Sequence, residues 1–200
     1  MGLEAVVFDF GGVLADEGFR EGLYAIARRT GRDMETFYAA ATETVYDCGY
    51  VTGRASEADF WAALRGRTGI GLPDAEMRRE VLDRFVLRPW MIDMVRQLRQ
   101  RGLQTVILSD QSDWLDELDL RYHFFREFDR VYNSYHLGRT KRDAAIFDEL
   151  LAWLQLTGPE ILFVDDNPGH IARAASRGIE THLFTGRQGF LATLRQHGLS

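Results

Sequence analysis

The chain has 200 residues, a formal net charge of −6, and a composition that is 46% hydrophobic and 27% charged. That is the length of one domain, or of one domain with an insertion, and it can bury a core without disulfide or metal staples. The acidic balance argues against broad nucleic-acid binding, no apolar run approaches the ~20 residues of a membrane span, and the single cysteine, Cys48, cannot form an internal disulfide.

Ala5–Asp9 (AVVFD) is a short apolar, β-branched run that ends in an acid and is broken by Gly11 and Gly12. It predicts a buried strand and a tight turn. Its start, with Glu4 leading directly into the strand and no basic n-region, predicts no signal peptide, and with the lone cysteine it fits a cytoplasmic location. From Asp16 to Leu87 the pattern is helical, with candidates at Gly18–Arg29, Asp33–Tyr46, Ser56–Arg67 and Pro73–Val86 and a turn at Gly49–Arg54. Pro89 then opens a helix over Trp90–Arg101, with the apolar stripe Met91, Met94, Val95 and Leu98 and Gly102 as its stop. Thr105–Leu108 (TVIL) and Ile161–Val164 (ILFV) are further continuous apolar runs, as parallel strands covered on both faces require. Arg130–Tyr132 and Glu180–Phe184 are weaker strand candidates. Helices are predicted at Asp143–Leu156 and at Pro168–Arg177, the latter with Asn167 as N-cap and Gly178 beyond its end.

Strands alternating with helices predict an α/β fold, a doubly wound, mostly parallel Rossmann-like sheet with a small all-helical cap inserted after the first strand. The expected organisation is an α/β core from residues 1–15 and 88–200 and a cap from residues 16–87. In such sheets ligands bind beyond the carboxyl ends of the strands. Those ends carry Asp9, then Ser109 and Asp110, then Asp165, Asp166 and Asn167, and Lys141 stands just ahead of the Asp143 helix. Carboxylates gathered at three strand ends repel one another unless a hard cation sits among them, and Mg²⁺ with a substrate phosphate suits such a set. A serine hydroxyl, a lysine ammonium and glycine-turn amides would hold the phosphate, and one carboxylate could attack phosphorus to form an aspartyl-phosphate.

These residues resemble the haloacid dehalogenase-like (HAD) hydrolase superfamily over essentially the whole chain. VVFDFGGVL is similar to its first motif, LSDQ to the second, GRTKRDAAIF to the third and FVDDNPGHIARAASRGI to the fourth. The resemblance implies Asp9 as nucleophile, Ser109 as phosphate ligand and Lys141 as the cation that steadies both. It implies Mg²⁺ held by Asp9, the Gly11 carbonyl and Asp166, with Asp165 as a second acid, directly or through water. Gly11, Gly12, Ser109, Asp110 and Lys141 would line the phosphate and substrate site. The segment YVTGRASEADFWAAL resembles the cap of a branch with sugar-phosphate phosphatases, among them a glucose-1-phosphatase. The implied activity is a Mg²⁺-dependent phosphatase acting on a small phosphorylated metabolite, as a monomer or homodimer, with neither nucleic acid nor membrane as partner.

One departure bears on the chemistry. The family's phosphatases usually carry a second aspartate two positions after the nucleophile, as general acid and then base, and that position is Gly11 here. Such groups are worth about 10²–10⁴-fold, and the sequence names no replacement. This keeps two alternatives in view, a metal-independent 2-haloacid dehalogenase and a catalytically weak phosphometabolite-binding protein. Asp110 stands where asparagine is common, and Arg142 where proline usually follows the lysine. The five histidines have no metal-ligand spacing and read as packing or surface residues, with His136 nearest the third motif. Phe124, Phe125 and Phe128 read as core, while Tyr46 and Tyr50 of the cap are either core or substrate-facing.

Lys141 is the only lysine among 24 basic residues; every other one is arginine. A drift toward arginine would be free on the surface. It would not be free where a compact ammonium must fit between a nucleophile and a phosphate, because arginine's planar fork is a poor substitute there.

Overall fold

The computed structural model describes residues 2–199. Five strands form one sheet: β1 (Ala5–Phe8), β2 (Gln104–Ser109), β3 (Arg130–Asn133), β4 (Ile161–Asp165) and β5 (Glu180–Leu183). Their spatial order is β3-β2-β1-β4-β5 and all neighbours are parallel. This is the doubly wound α/β sheet that the alternating pattern predicts.

Burial on both faces explains why the strands lack polar alternation. Along β1, Val6 and Phe8 join one apolar cluster, with Ile107, Leu162 and Val164, while Ala5 and Val7 join the other, with Val106, Leu108 and Phe163. Three helices cover the first face: α5 (Pro89–Gln100), α6 (Trp114–Tyr122) and α10 (Arg187–Gln196). The second is covered by α8 (Ala145–Leu154) and α9 (Pro168–Ala175), and the short α7 (Ser134–Leu137) follows β3. Phe124 and Phe128 are core residues, as their sequence context suggests.

Between β1 and α5 the chain is helical: α1 (Gly18–Arg29), α2 (Met34–Asp47), α3 (Glu57–Thr68) and α4 (Asp74–Leu82). Asp33 caps α2 through Thr36 N, and Ser56 and Asp59 form a reciprocal capping box on α3. The fourth helix is shorter than the pattern to Val86 suggests. Residues 86–88 instead pair with the segment after β1, through Asp16 N to Val86 O at 2.9 Å, Arg88 N to Leu14 O at 2.9 Å and a bridge between Ala15 and Leu87. Asp83, Arg84 and Phe85 still donate back into the end of α4, to Arg79, Val81 and Leu82, and the strap takes over from Val86 onward.

The helical segment seats on the sheet through polar contacts around an aromatic interior. Tyr50 stacks on Phe60 and hydrogen-bonds Asp113. Trp114 Nε1 donates to Glu57 at 2.9 Å, and Ser134 Oγ donates to the Val51 carbonyl at 2.7 Å. Helices α6, α7 and α10 were not evident as separate elements in the sequence pattern. Among the described residues no helix is long and apolar enough to cross a membrane.

Candidate active site

Register brings the strand ends together. Phe8 lies opposite Ile107 on one side and Val164 on the other, so Asp9 and Asp165, each one residue further, reach the same rim with Ser109. Asp9 N donates to the Val164 carbonyl at 2.9 Å, which holds the residue in line with the strand it leaves. Asp9 Oδ1 accepts from Phe10 N at 2.7 Å.

Lys141 closes this rim from the loop before α8. Its Nζ is 2.9 Å from Asp9 Oδ2 and 2.6 Å from Asp165 Oδ2, and its side chain is only 1% exposed. Asp165 is wholly buried, and it also accepts from Asn167 N at 2.8 Å and meets His170 Nδ1 at 3.1 Å. Asp166 turns the other way, onto the glycine turn. Gly12 has φ +77°, and a Cβ there would run into the Asp166 carboxylate, so only glycine admits both the turn and this close approach.

The charges do not balance within the protein. Burial drives Asp9 well above the usual carboxylate range; Lys141 opposes this, while Asp165 and Asp166 add to it. Burial and the neighbouring Asp165 also raise Asp166. Asp165 goes the opposite way, because Lys141 and His170 outweigh the cost of burying it. Burial disfavours the charged lysine, yet Asp165, Asp9 and Asp110 together hold it firmly protonated. One ammonium thus stands among Asp9, Asp165 and Asp166, and the two whose pKa stays raised, Asp9 and Asp166, face the cavity.

That excess negative charge fits a divalent cation. Asp9, Asp165 and His170 have ligand atoms within 4.8 Å of one another. Asp165, however, already accepts from Lys141 and Asn167, so Asp166 is the acid with capacity to spare.

A cavity of about 330 Å³ lies over the rim, lined by Asp9, Gly11 and Ser109 from below and by Glu17, Arg20 and Tyr46 from the helical segment. Asp110 also borders the cavity and is anchored by two hydrogen bonds. Its Oδ1 accepts from Lys141 N at 2.8 Å and its Oδ2 from Tyr46 Oη at 2.9 Å. The Arg142 guanidinium lies 3.3 Å over the Tyr46 ring. Of the two tyrosines, Tyr46 borders the cavity, whereas Tyr50 is buried against Asp113.

The haloacid dehalogenase-like hydrolase family model matches residues 3–194. The chain belongs to that family. It is 27% identical over 189 residues to the D-ribitol-5-phosphate phosphatase of Bacteroides thetaiotaomicron, covering 90% of each chain. A mutant HAD family enzyme from the same organism, solved with magnesium and inorganic phosphate, superposes with a TM-score of 0.75 at 19% identity over 96% of this chain and 99% of the other. The L-2-haloacid dehalogenase of Xanthobacter autotrophicus shares the fold, with a TM-score of 0.67 at 19% identity over 99% of this chain and 84% of the other.

Among the residues of this HAD hydrolase's cavity that were not singled out from the sequence, His170 and Glu17 carry titratable groups next to the acids. His170, grouped there with packing and surface histidines, is buried against Asp165 and borders the cavity. Its signal was position: five residues after Asp165, on the first turn of α9, it returns to the strand end. Glu17 is the N-cap of α1, accepting from Arg20 N at 2.6 Å, and also borders the cavity. Burial pushes its carboxyl up to about 7, against the hydrogen bond from Arg20.

Proposed function

We propose that this hydrolase is a Mg²⁺-dependent phosphatase that cleaves a small phosphorylated metabolite, a sugar phosphate or similar, through an aspartyl-phosphate on Asp9. The observation that carries the reading is the buried Lys141 ammonium between Asp9 and Asp165, behind the Asp9 that lines the cavity. The phosphatase relative, similar over 90% of both chains, supports the substrate class.

Asp9, fixed by Phe10 N and Lys141, presents a carboxylate oxygen to phosphorus. Ser109, Lys141 and the amides of the Gly11–Gly12 turn receive the phosphoryl oxygens and stabilise the charge that spreads over them. Asp9, the Gly11 carbonyl and Asp166 would hold Mg²⁺, with Asp165 behind them. When bound, the ion supplies the positive charge that these acids lack and screens the incoming phosphate from them. Asp110 positions Lys141 through its backbone N–H and, through Tyr46, ties residues 16–87 to the rim as a cap that excludes water from the bound phosphate.

Phosphate release from a panel of sugar and polyol phosphates and an aryl phosphate, with Mg²⁺ and with a chelator, tests this reading. Wild type should turn over only with metal, and Asp9→Asn should be inactive on every substrate. Turnover that survives in Asp9→Asn, or halide release from 2-haloacids in chelator without any phosphate release, would overturn it.

A further inference from the structure

The missing side chain at position 11 leaves a space, and the one polar atom beside it belongs to Glu17. A Cβ built on Gly11 has Glu17 Oε1 as its nearest neighbour, at 3.4 Å, and the Phe85 ring next, at 3.5 Å. The carboxyl of an aspartate would begin only ~1.5 Å beyond such a Cβ. Glu17 therefore brings a carboxyl oxygen, from a different part of the chain, to the place an acid on residue 11 would enter. Glu17, Gly11, Asp9 and Asp166 border the same cavity.

The two oxygens of Glu17 are differently employed. Oε2 accepts from Arg20 N at 2.6 Å and caps α1. Capping alone does not call for glutamate, since serine, threonine, aspartate and asparagine are the preferred N-caps and would do it with a shorter reach. The longer side chain is what sends Oε1 across to the turn. Capping also fixes the side chain, so the carboxyl is held in place rather than swinging with solvent.

We infer that Glu17 is the general acid and base of this enzyme, a catalytic residue supplied by the first turn of the cap in place of a side chain at Gly11. The inference rests on the phosphatase reading above. In the first step an Asp9 oxygen bonds to phosphorus, the bond from phosphorus to the leaving oxygen breaks, and that oxygen takes the proton of the Glu17 carboxyl. In the second, water bonds to phosphorus and gives a proton to the Glu17 carboxylate. The bond from phosphorus to Asp9 breaks, inorganic phosphate leaves, and both side chains return to their starting state.

The test compares wild type with Glu17→Gln and Glu17→Ser in Mg²⁺, on a polyol phosphate and on an aryl phosphate whose leaving group needs no proton. Serine keeps a favourable N-cap and removes the carboxyl, and a thermal melt verifies folding of each variant. Both variants should lose about 10²-fold or more in kcat on the polyol phosphate. On the aryl phosphate they should release one equivalent of phenol per enzyme in a burst and then turn over slowly, because the aspartyl-phosphate waits for its base. Gly11 has no positive φ, and its Cβ would meet only ordinary contacts, so Gly11→Asp can be added to Glu17→Ser. It should restore at least 10-fold on the polyol phosphate.

If either variant keeps wild-type kcat on the polyol phosphate, or if both substrates fall equally without a burst and without rescue, Glu17 is a cap and nothing more. That outcome leaves the phosphatase reading standing, whereas a wild type that releases no phosphate from any substrate overturns both.

Discussion

Two kinds of cation–carboxylate pairing occupy opposite parts of the molecule. At the carboxyl edge of the sheet, Lys141 is 1% exposed and touches Asp9 at 2.9 Å and Asp165 at 2.6 Å. On the outer face of the helical segment, Arg67 is 39% exposed and reaches Glu43 at 3.3 Å and Asp47 at 2.8 Å. The first pair has no water to fall back on, so the shape and size of the cation decide whether the site forms. The second is hydrated with or without its partners, so almost any cation serves. A chain that uses arginine everywhere else keeps lysine only where the difference is felt.

The sharpest way to break this contrast is Lys141→Arg. A guanidinium is wider than the slot between two buried acids and cannot meet Asp9, Asp165 and a phosphate at one point. Turnover should fall at least ~10³-fold, beyond the usual effect of losing one charge-stabilising donor. The fold should persist, with an overpacking cost of about 1–3 kcal/mol read from urea denaturation. Near wild-type activity in this variant would mean that the ammonium's geometry is irrelevant. Metal probes the same charge imbalance more gently. Wild type should gain about 2.7 kcal/mol of stability at Mg²⁺ a hundredfold above its Kd, seen as a higher melting temperature. Asp166→Asn should lose most of that gain, because it removes the acid with spare ligand capacity.

The contrast also explains what was legible in the sequence. Asp9, Ser109, Asp165 and Asp166 end apolar runs, and a parallel sheet forces such ends onto one rim, so periodicity alone brings them together. Lys141 was visible through its rarity and its place before a helix. The helices of residues 16–87 were readable from their stripes and caps, to within a few residues at most ends. Glu17 was not, because a glutamate at a helix start looks like any first-turn acid. Its approach to Gly11 depends on how α1 packs on α4 and on Phe85 and on the strap between residues 14–16 and 86–88, contacts that are distant in sequence. Nor were the partners of Asp110 readable, whose two oxygens accept from Lys141 N and Tyr46 Oη at the edge of the cavity. Those partners are distant in sequence, and no local pattern encodes them.

Tyr46→Phe tests the seam between the two regions at an intermediate scale. The hydroxyl donates to the Asp110 carboxylate at 2.9 Å, and burial followed by that carboxylate raises its pKa, so it stays protonated as a donor throughout the physiological range. Removing it should cost about 1.5–3 kcal/mol in urea denaturation, the range for a hydrogen bond to a charged group. The Arg142 stack on the ring survives the change. In kinetics, KM should rise more than kcat falls, since the contact seats the helical segment on the sheet edge and is not made to the reacting groups. An equal fall in kcat with unchanged KM would place Tyr46 in the chemistry instead.

Arg67→Lys is the opposite pole of Lys141→Arg. Its partners Glu43 and Asp47 project from α2 and are themselves largely in solvent, at 70% and 65% side-chain exposure. Exposed pairs of this kind contribute about 0.2–1 kcal/mol, and a lysine can reach one carboxylate at a time. The expected loss is therefore below about 0.5 kcal/mol, shrinking further in 0.5 M salt as the Debye length falls to a few ångströms, with kcat and KM unchanged. A loss above ~1 kcal/mol that resists salt would show that the guanidinium fork, by bridging two acids, pins α3 to α2 as a rigid clamp. The division between a geometry-critical lysine and interchangeable arginines would then have to be redrawn through the helical segment itself.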